Sequence, residues 1–262
     1  MPQSPPASKT ALRPAAAQAR TYRRVAQIAG LTAFRVTVKE TDLHVQAAGD
    51  LSRECREIVL EHRGYLEGYA ARYPNFLTTL APWRLPGPAP DIVDRMAAAA
   101  RLAGVGPMAA VAGALAECVA RGLQARSPEV VVENGGDIFL LRQQPLVVGV
   151  FAGRSPLSMK IGLRLDPRGE PLAVCTSSGA LGHSLSRGRA DAVCIVAREG
   201  ALADAAATAV ANRIAAPADV PAAVAYARQI PGVMGVVAVM DTQLGLWGAL
   251  EVVPLGKKGL KF

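Results

Sequence analysis

Apolar and polar residues alternate along Ala33–Lys39 and again along Leu43–Ala47, which predicts two strands. The intervening Glu40-Thr41-Asp42 can make a tight connection, so the pair reads as a hairpin. After Asp50, a plausible N-cap, the period changes: Cys55, Ile58, Val59, His62 and Leu66 recur at helical spacing to about Arg72, and Pro74 ends the run. A proline-rich loop containing Trp83 leads to a second helix, Asp91–Ala103, closed by Gly104. Pro107 opens a third, Met108–Gln124, whose alanine and glycine content predicts burial. Val130–Val132, a glycine turn and Ile138–Leu141 read as strand, turn, strand. Further strands are expected at Leu146–Phe151, Met159–Leu165, Leu172–Cys175, Ala192–Ala197, Val233–Met240 and Leu244–Leu250, with helices at about Ala201–Ile214 and Val220–Arg228. Hairpin-joined strands with helices between the clusters define an α+β fold rather than a repeating βαβ sheet, and no internal repeat is evident.

Residues 1–20 lack periodicity and read as a flexible basic tail, leaving 21–262 as one domain. With 51% hydrophobic and 19% charged residues, that body can fill a substantial core. The longest apolar stretches, such as Ala109–Ala116 and Val233–Met240, fall short of the ~20 residues of a membrane helix. No secretory or lipoprotein signal is visible. The four cysteines, Cys55, Cys118, Cys175 and Cys194, form no CxxC pair and fit reduced thiols. A soluble, cytoplasmic protein is expected.

The formal charge of +8 changes meaning once located. Met1–Arg24 holds five basic residues and no acid, and the last seven residues add three lysines; without those eight, 21 basic residues face 21 acidic ones. A neutral body with 5% aromatics argues against a nucleic-acid partner.

Four blocks place glycine or small residues beside polar groups. Asn134-Gly135-Gly136-Asp137 reads equally as a type I′ turn or as backbone that a phosphate or ring can approach, with Asn134 and Asp137 as directional partners. Cys175-Thr176-Ser177-Ser178-Gly179 offers hydroxyls and amides to an anion; Cys175 is either a buried strand-end residue or a thiolate with His183 as base. Asp204 and Thr208 stand four apart on one helical face, so carboxylate and hydroxyl could meet one hard cation, the alternative being a helix-end Asp beside a solvated Thr. Gly104–Gly113 joins a glycine-rich turn to a helix start that packing alone also explains.

Together, Val105-Gly106-Pro107-Met108, Glu133–Ile138, the CTSSG and GHS blocks, Gly188–Ala192 and Ala203–Thr208 resemble the ApbE-like superfamily, and more closely an uncharacterised ApbE-related family with the same order of motifs. The resemblance implies an ApbE-like, T-fold-like arrangement of antiparallel sheets packed with helices. Relatives that are FAD:protein FMN transferases use a divalent cation, usually magnesium, to bind FAD and move FMN onto a Ser or Thr. It therefore implies Asp204 and Thr208 as metal ligands, FAD or FMN with Mg2+ as cofactors, and Asn134, Gly135, Gly136, Asp137, Thr176, Ser177, Ser178 and Gly179 around the ligand. His183 and Cys175 are the catalytic candidates, and a small anionic ligand and a second copy of the chain are the expected partners. The transferase segment H-x-x-D-P-x-T-G is matched only at His183 and Gly188, without its Asp-Pro and Thr.

Overall fold

The computed structural model describes residues 28–178 and 188–256. Eight strands form one sheet in the order β1-β2-β3-β4-β7-β8-β9-β10, every neighbouring pair antiparallel. Their ranges are β1 Thr32–Val38, β2 Thr41–Ala47, β3 Val130–Asn134, β4 Asp137–Leu141, β7 Leu172–Ser177, β8 Ala192–Ala197, β9 Val233–Met240 and β10 Gln243–Gly248. Between β2 and β3 run α1 Ser52–Arg72, α2 Asn75–Thr78, α3 Asp91–Ala103 and α4 Val111–Leu123; between β8 and β9 run α5 Gly200–Ala211 and α6 Val220–Ala227. Each half of the sheet is thus a hairpin, a helical excursion and a second hairpin. The repeat that was not evident in the sequence is present in the topology.

The helices cover one face of the sheet, and a core running from Phe34 to Met240 fills the space between. A three-stranded antiparallel sheet, β11-β6-β5, packs on the other face through a second apolar cluster that includes Leu140, Leu163, Val174 and Cys194. Its strands are β5 Leu146–Gly149, β6 Ile161–Leu165 and β11 Glu251–Pro254. The last of these was absent from the strands read in the sequence, because four residues give too short a run to show a period. α+β is the observed class.

Small differences have local causes. The first hairpin turns at Lys39-Glu40, one step earlier than expected, with Lys39 at φ 51. Asp50 accepts from Ser52 N–H at 2.9 Å, one residue ahead of the helix's formal cap, Leu51. The helix expected from Met108 begins as a 3-10 turn, Pro107–Ala110, before α4. Gly104 closes α3 as expected, in the left-handed region at φ 72. Among the described residues no single helix is long and apolar enough to cross a membrane; α3 and the segment Pro107–Leu123 would qualify only jointly, and they bend by 103°.

The exposed middle of α1 gives a first prediction. A Cβ added at Gly68 meets nothing within 4 Å, so only helix propensity acts. Gly68→Ala should raise the urea midpoint, adding about 0.5–1 kcal/mol of stability.

Candidate functional site

The site is built where the helix-facing ends of β4 and β7 meet the first turns of α4 and α5. The β3–β4 turn has both glycines at positive φ, 70 for Gly135 and 109 for Gly136, which is the two-residue hairpin geometry that an L side chain resists. Glu133 steadies it by accepting from Gly136 N–H at 2.8 Å. Asn134 fastens it to α4, its Nδ2 donating to Ala112 C=O at 3.1 Å.

Strand alternation decides which side chains share a face. On β4, Phe139 and Leu141 belong to the helix-side core and Leu140 to the other, so Asp137 faces the helices. On β7, Ala173 and Cys175 face the helices while Leu172 and Val174 face away, which puts Ser177 with the former and Thr176 with the latter. Thr176 accordingly places its hydroxyl 3.2 Å from Cys194 Sγ. What it contributes to the site is its backbone N–H, donated to Asp137 Oδ1 at 3.1 Å. Ser177 Oγ is buried and has no hydrogen-bond partner within the described residues.

Above these strands lies Asp204, whose Oδ2 accepts from Gly113 N–H at 2.9 Å. Burial pushes its carboxyl up to about 7, opposed by the amides of Gly113 and Ala112. Asp137 is raised well above the usual carboxylate range, chiefly by burial and then by the charge of Asp204, against the pull of the Thr176 amide and the Cys175 thiol. Two buried acids that feel each other's charge disfavour joint ionisation unless positive charge is supplied. Among the described residues no Lys, Arg or His forms an ion pair with either.

The second shared feature is mechanical. Neither α4 nor α5 has a side-chain cap of its own; Ala110 and Glu199 occupy the cap positions. Each helix is capped by the other. Asp204 from α5 receives Gly113 N–H at the third residue of α4, the place a cap carboxylate fills. Glu117 from α4 receives Gly200 N–H, the first residue of α5, at 2.7 Å. The backbones touch at the crossing: a Cβ on Gly113 would stand 2.1 Å from Gly200 O, and one on Gly200 would stand 2.2 Å from Gly113 O. Glu117 is 1% exposed and is neutralised by Arg95 Nη1 at 3.1 Å and Arg121 Nε at 2.8 Å.

Of the residues singled out in the sequence, the structure brings together Asn134, the two turn glycines, Asp137, Cys175, the Thr176 backbone and Asp204. Thr208, also buried, follows Asp204 by four residues on α5. Ser178 is half-buried at the end of the described segment. Gly179 and His183 lie outside the described residues. Cys175 is fully buried, with Sγ 3.6 Å from Gly200 O. Burial, then Asp137 and Asp204, raise its thiol well above the usual range, which favours the neutral form. Glu117 escaped the sequence reading although a signal was there: Gly113-Ala-Leu-Ala-Glu117 and Gly200-Ala-Leu-Ala-Asp204 are the same pentapeptide with the acid exchanged. A surface hollow of about 310 Å³ lies apart on α1, between Tyr65, Tyr69, Tyr73, Pro88 and Pro90, and none of its lining residues belongs to this cluster.

This α+β fold is shared with solved ApbE structures. The apo flavinyl transferase ApbE of Pseudomonas stutzeri superposes with a TM-score of 0.56 at 16% identity, over 83% of this chain and 94% of that one. The ApbE protein of Thermotoga maritima gives 0.50 at 15% identity, over 84% and 96%. At such identities the likeness is one of fold. In sequence, a family model described as AbpE bacteria matches residues 23–235. A UPF0280 protein of Methanocella arvoryzae is 41% identical over 214 residues, 81% of this chain and 87% of its own length. Another, from Methanocaldococcus jannaschii, is 38% identical over 232 residues, covering 86% and 94%. The chain belongs to this ApbE-related family.

Proposed function

We propose that this ApbE-like protein binds a flavin nucleotide, FAD or FMN, or a similar phosphate-bearing anion, together with Mg2+, at the Asp137–Asp204–Thr208 cluster. The observation that carries the reading is the contrast between two buried acids in one repeated pentapeptide. Glu117 caps a helix and is balanced by Arg95 and Arg121. Asp204 also caps a helix, yet it has a second carboxylate beside it and no cationic side chain paired to it among the described residues. Burying such a pair without a counter-charge is costly, and a bound cation removes that cost.

The donor set fits a hard cation. Asp204 Oδ2 accepts from Gly113 N–H and Asp137 Oδ1 from Thr176 N–H, and carboxylate oxygens with the Thr208 hydroxyl are the ligand type that magnesium takes. When bound, the ion would supply positive charge to a diphosphate. The chain's own residues do the rest. The paired glycines of the β3–β4 turn keep that rim free of side chains, and Asn134 holds the turn against α4. The buried Ser177 hydroxyl is a group available to an anion's oxygens.

The test is the absorbance spectrum of protein incubated with FAD and Mg2+ and then freed of unbound flavin, beside Asp204→Ala. Wild type should retain flavin in a Mg2+-dependent way and the variant should lose at least tenfold in affinity. Equal retention by both proteins, or by neither, would overturn the reading.

A further inference from the structure

The repeated pentapeptide carries a consequence for the site. Because each helix lacks its own cap and takes one from its neighbour, two carboxylate–amide bonds and one glycine–glycine contact join the start of α5 to α4. Asp204 forms one of these bonds and is also the proposed cation ligand. Glu117 forms the other, with its charge matched by two arginines. We infer that Glu117 is the positioning residue of the cation site: by holding Gly200 N–H it sets the start of α5, and one turn later that start fixes where the Asp204 carboxylate stands.

An uncapped first amide leaves a helix end without one of the partners it needs, and a carboxylate is the strongest acceptor available there. At this crossing both contact residues are glycine, so no side chain interlocks the two backbones there, and the reciprocal carboxylate–amide bonds set their register at the contact. A shift of even 1 Å would break the 2.9 Å bond from Gly113 to Asp204 and displace the carboxylate from Asp137. Arg95 and Arg121 hold Glu117 in turn; Arg95 is itself tied to Asp91 at 2.8 Å, which anchors the chain of contacts in α3.

This inference rests on the cation reading for its functional meaning, and the experiment separates the two. The full chain and its Glu117→Gln, Glu117→Asp and Glu117→Ala variants are titrated with Mn2+ followed by electron paramagnetic resonance, and the exchange of the Gly113 amide hydrogen is measured with no metal present. Gln keeps an oxygen of the same reach for Gly200 N–H, so its Mn2+ affinity and Gly113 protection should stay within about threefold of wild type. Ala removes the acceptor and Asp shortens it by one methylene. Both should bind Mn2+ about 10–100-fold more weakly, the range for outer-shell partners of metal ligands, and both should expose the Gly113 amide. Should Ala not fold, the Asp and Gln pair decides. Folded Asp or Ala variants with wild-type Mn2+ affinity and wild-type Gly113 protection overturn the inference. A wild-type protein that binds no Mn2+ overturns the cation reading instead, while Gly113 exchange still reports whether Glu117 positions Asp204.

Discussion

Gly113→Ala is expected to destabilise the protein by about 3–5 kcal/mol, although alanine is the better helix former by about 1 kcal/mol. The new Cβ would stand 2.1 Å from Gly200 O and 2.8 Å from Asp204 Cβ, distances no pair of such atoms sustains. Neither neighbour is a flexible tip: one is backbone, the other the root of a buried side chain. The helices must part by roughly 1 Å, and both reciprocal caps then stretch. Overpacking costs about 1–3 kcal/mol, and hydrogen bonds to charged groups contribute about 1.5–3 kcal/mol each, so steric loss exceeds the gain in propensity. For a chain of this size the melting midpoint should fall by about 10 °C. Gly200→Ala meets the same wall from the other side, at 2.2 Å from Gly113 O. Because one separation of the helices relieves both clashes, the double variant should lose clearly less than the sum of the singles. Chemical denaturation of the four proteins checks both statements, and a Gly113→Ala protein as stable as wild type would refute the close crossing.

Much of this fold was legible because its core elements are long and periodic. Asp91–Ala103 with Gly104 at its end, Ala192–Ala197 and Val233–Met240 fall where the pattern puts them. Apolar spacing and a left-handed glycine are local signals and survive folding. The 3-10 entry to α4 and the four-residue β11 were not legible, since the first is a tightening around Pro107 and the second is too short to show a period. The site divides in the same way. Asp137, Asp204 and the glycine turn were found because polar residues in an apolar chain draw attention. Which face Thr176 takes depends on strand register, and register places its hydroxyl on Cys194 and only its amide at the site. Glu117 is not marked by its local pattern, because its partners Gly200 and Arg95 lie far from it in sequence. Only the meeting of two helices far apart in sequence reveals it as the counterpart of Asp204.

Asp204→Asn should reverse the order of stability depending on whether a divalent cation is present. In the wild type without a cation, burial pushes the native Asp204 carboxyl up to about 7, from 3.8 for an exposed aspartate. Between those two values the native state holds a proton that the unfolded chain has released, so unfolding becomes easier as pH rises. Stability contributed by the neutral acid is whole below pH ~4 and is lost as pH climbs through about 7, a decline on the order of 4 kcal/mol. Asparagine does not titrate, and its amide oxygen can still accept from Gly113 N–H. The variant's stability should therefore be flatter from pH 4 to 8, and at pH 8 in chelator it should equal or exceed that of the wild type. On the cation proposal, adding Mg2+ at 100 times its dissociation constant should restore the wild type by about 2.7 kcal/mol, as a ligand of the folded state alone does, and should leave the variant unmoved. Denaturant titrations at pH 5 and pH 8, with chelator and with Mg2+, give all eight stabilities. Were Asp204 only a helix cap paired with a hidden donor, the wild type would show no loss toward pH 8 and no response to Mg2+, and asparagine would be the weaker protein under every condition. A buried acid awaiting a cation predicts the crossing, and a structural acid like Glu117, already matched by Arg95 and Arg121, predicts none.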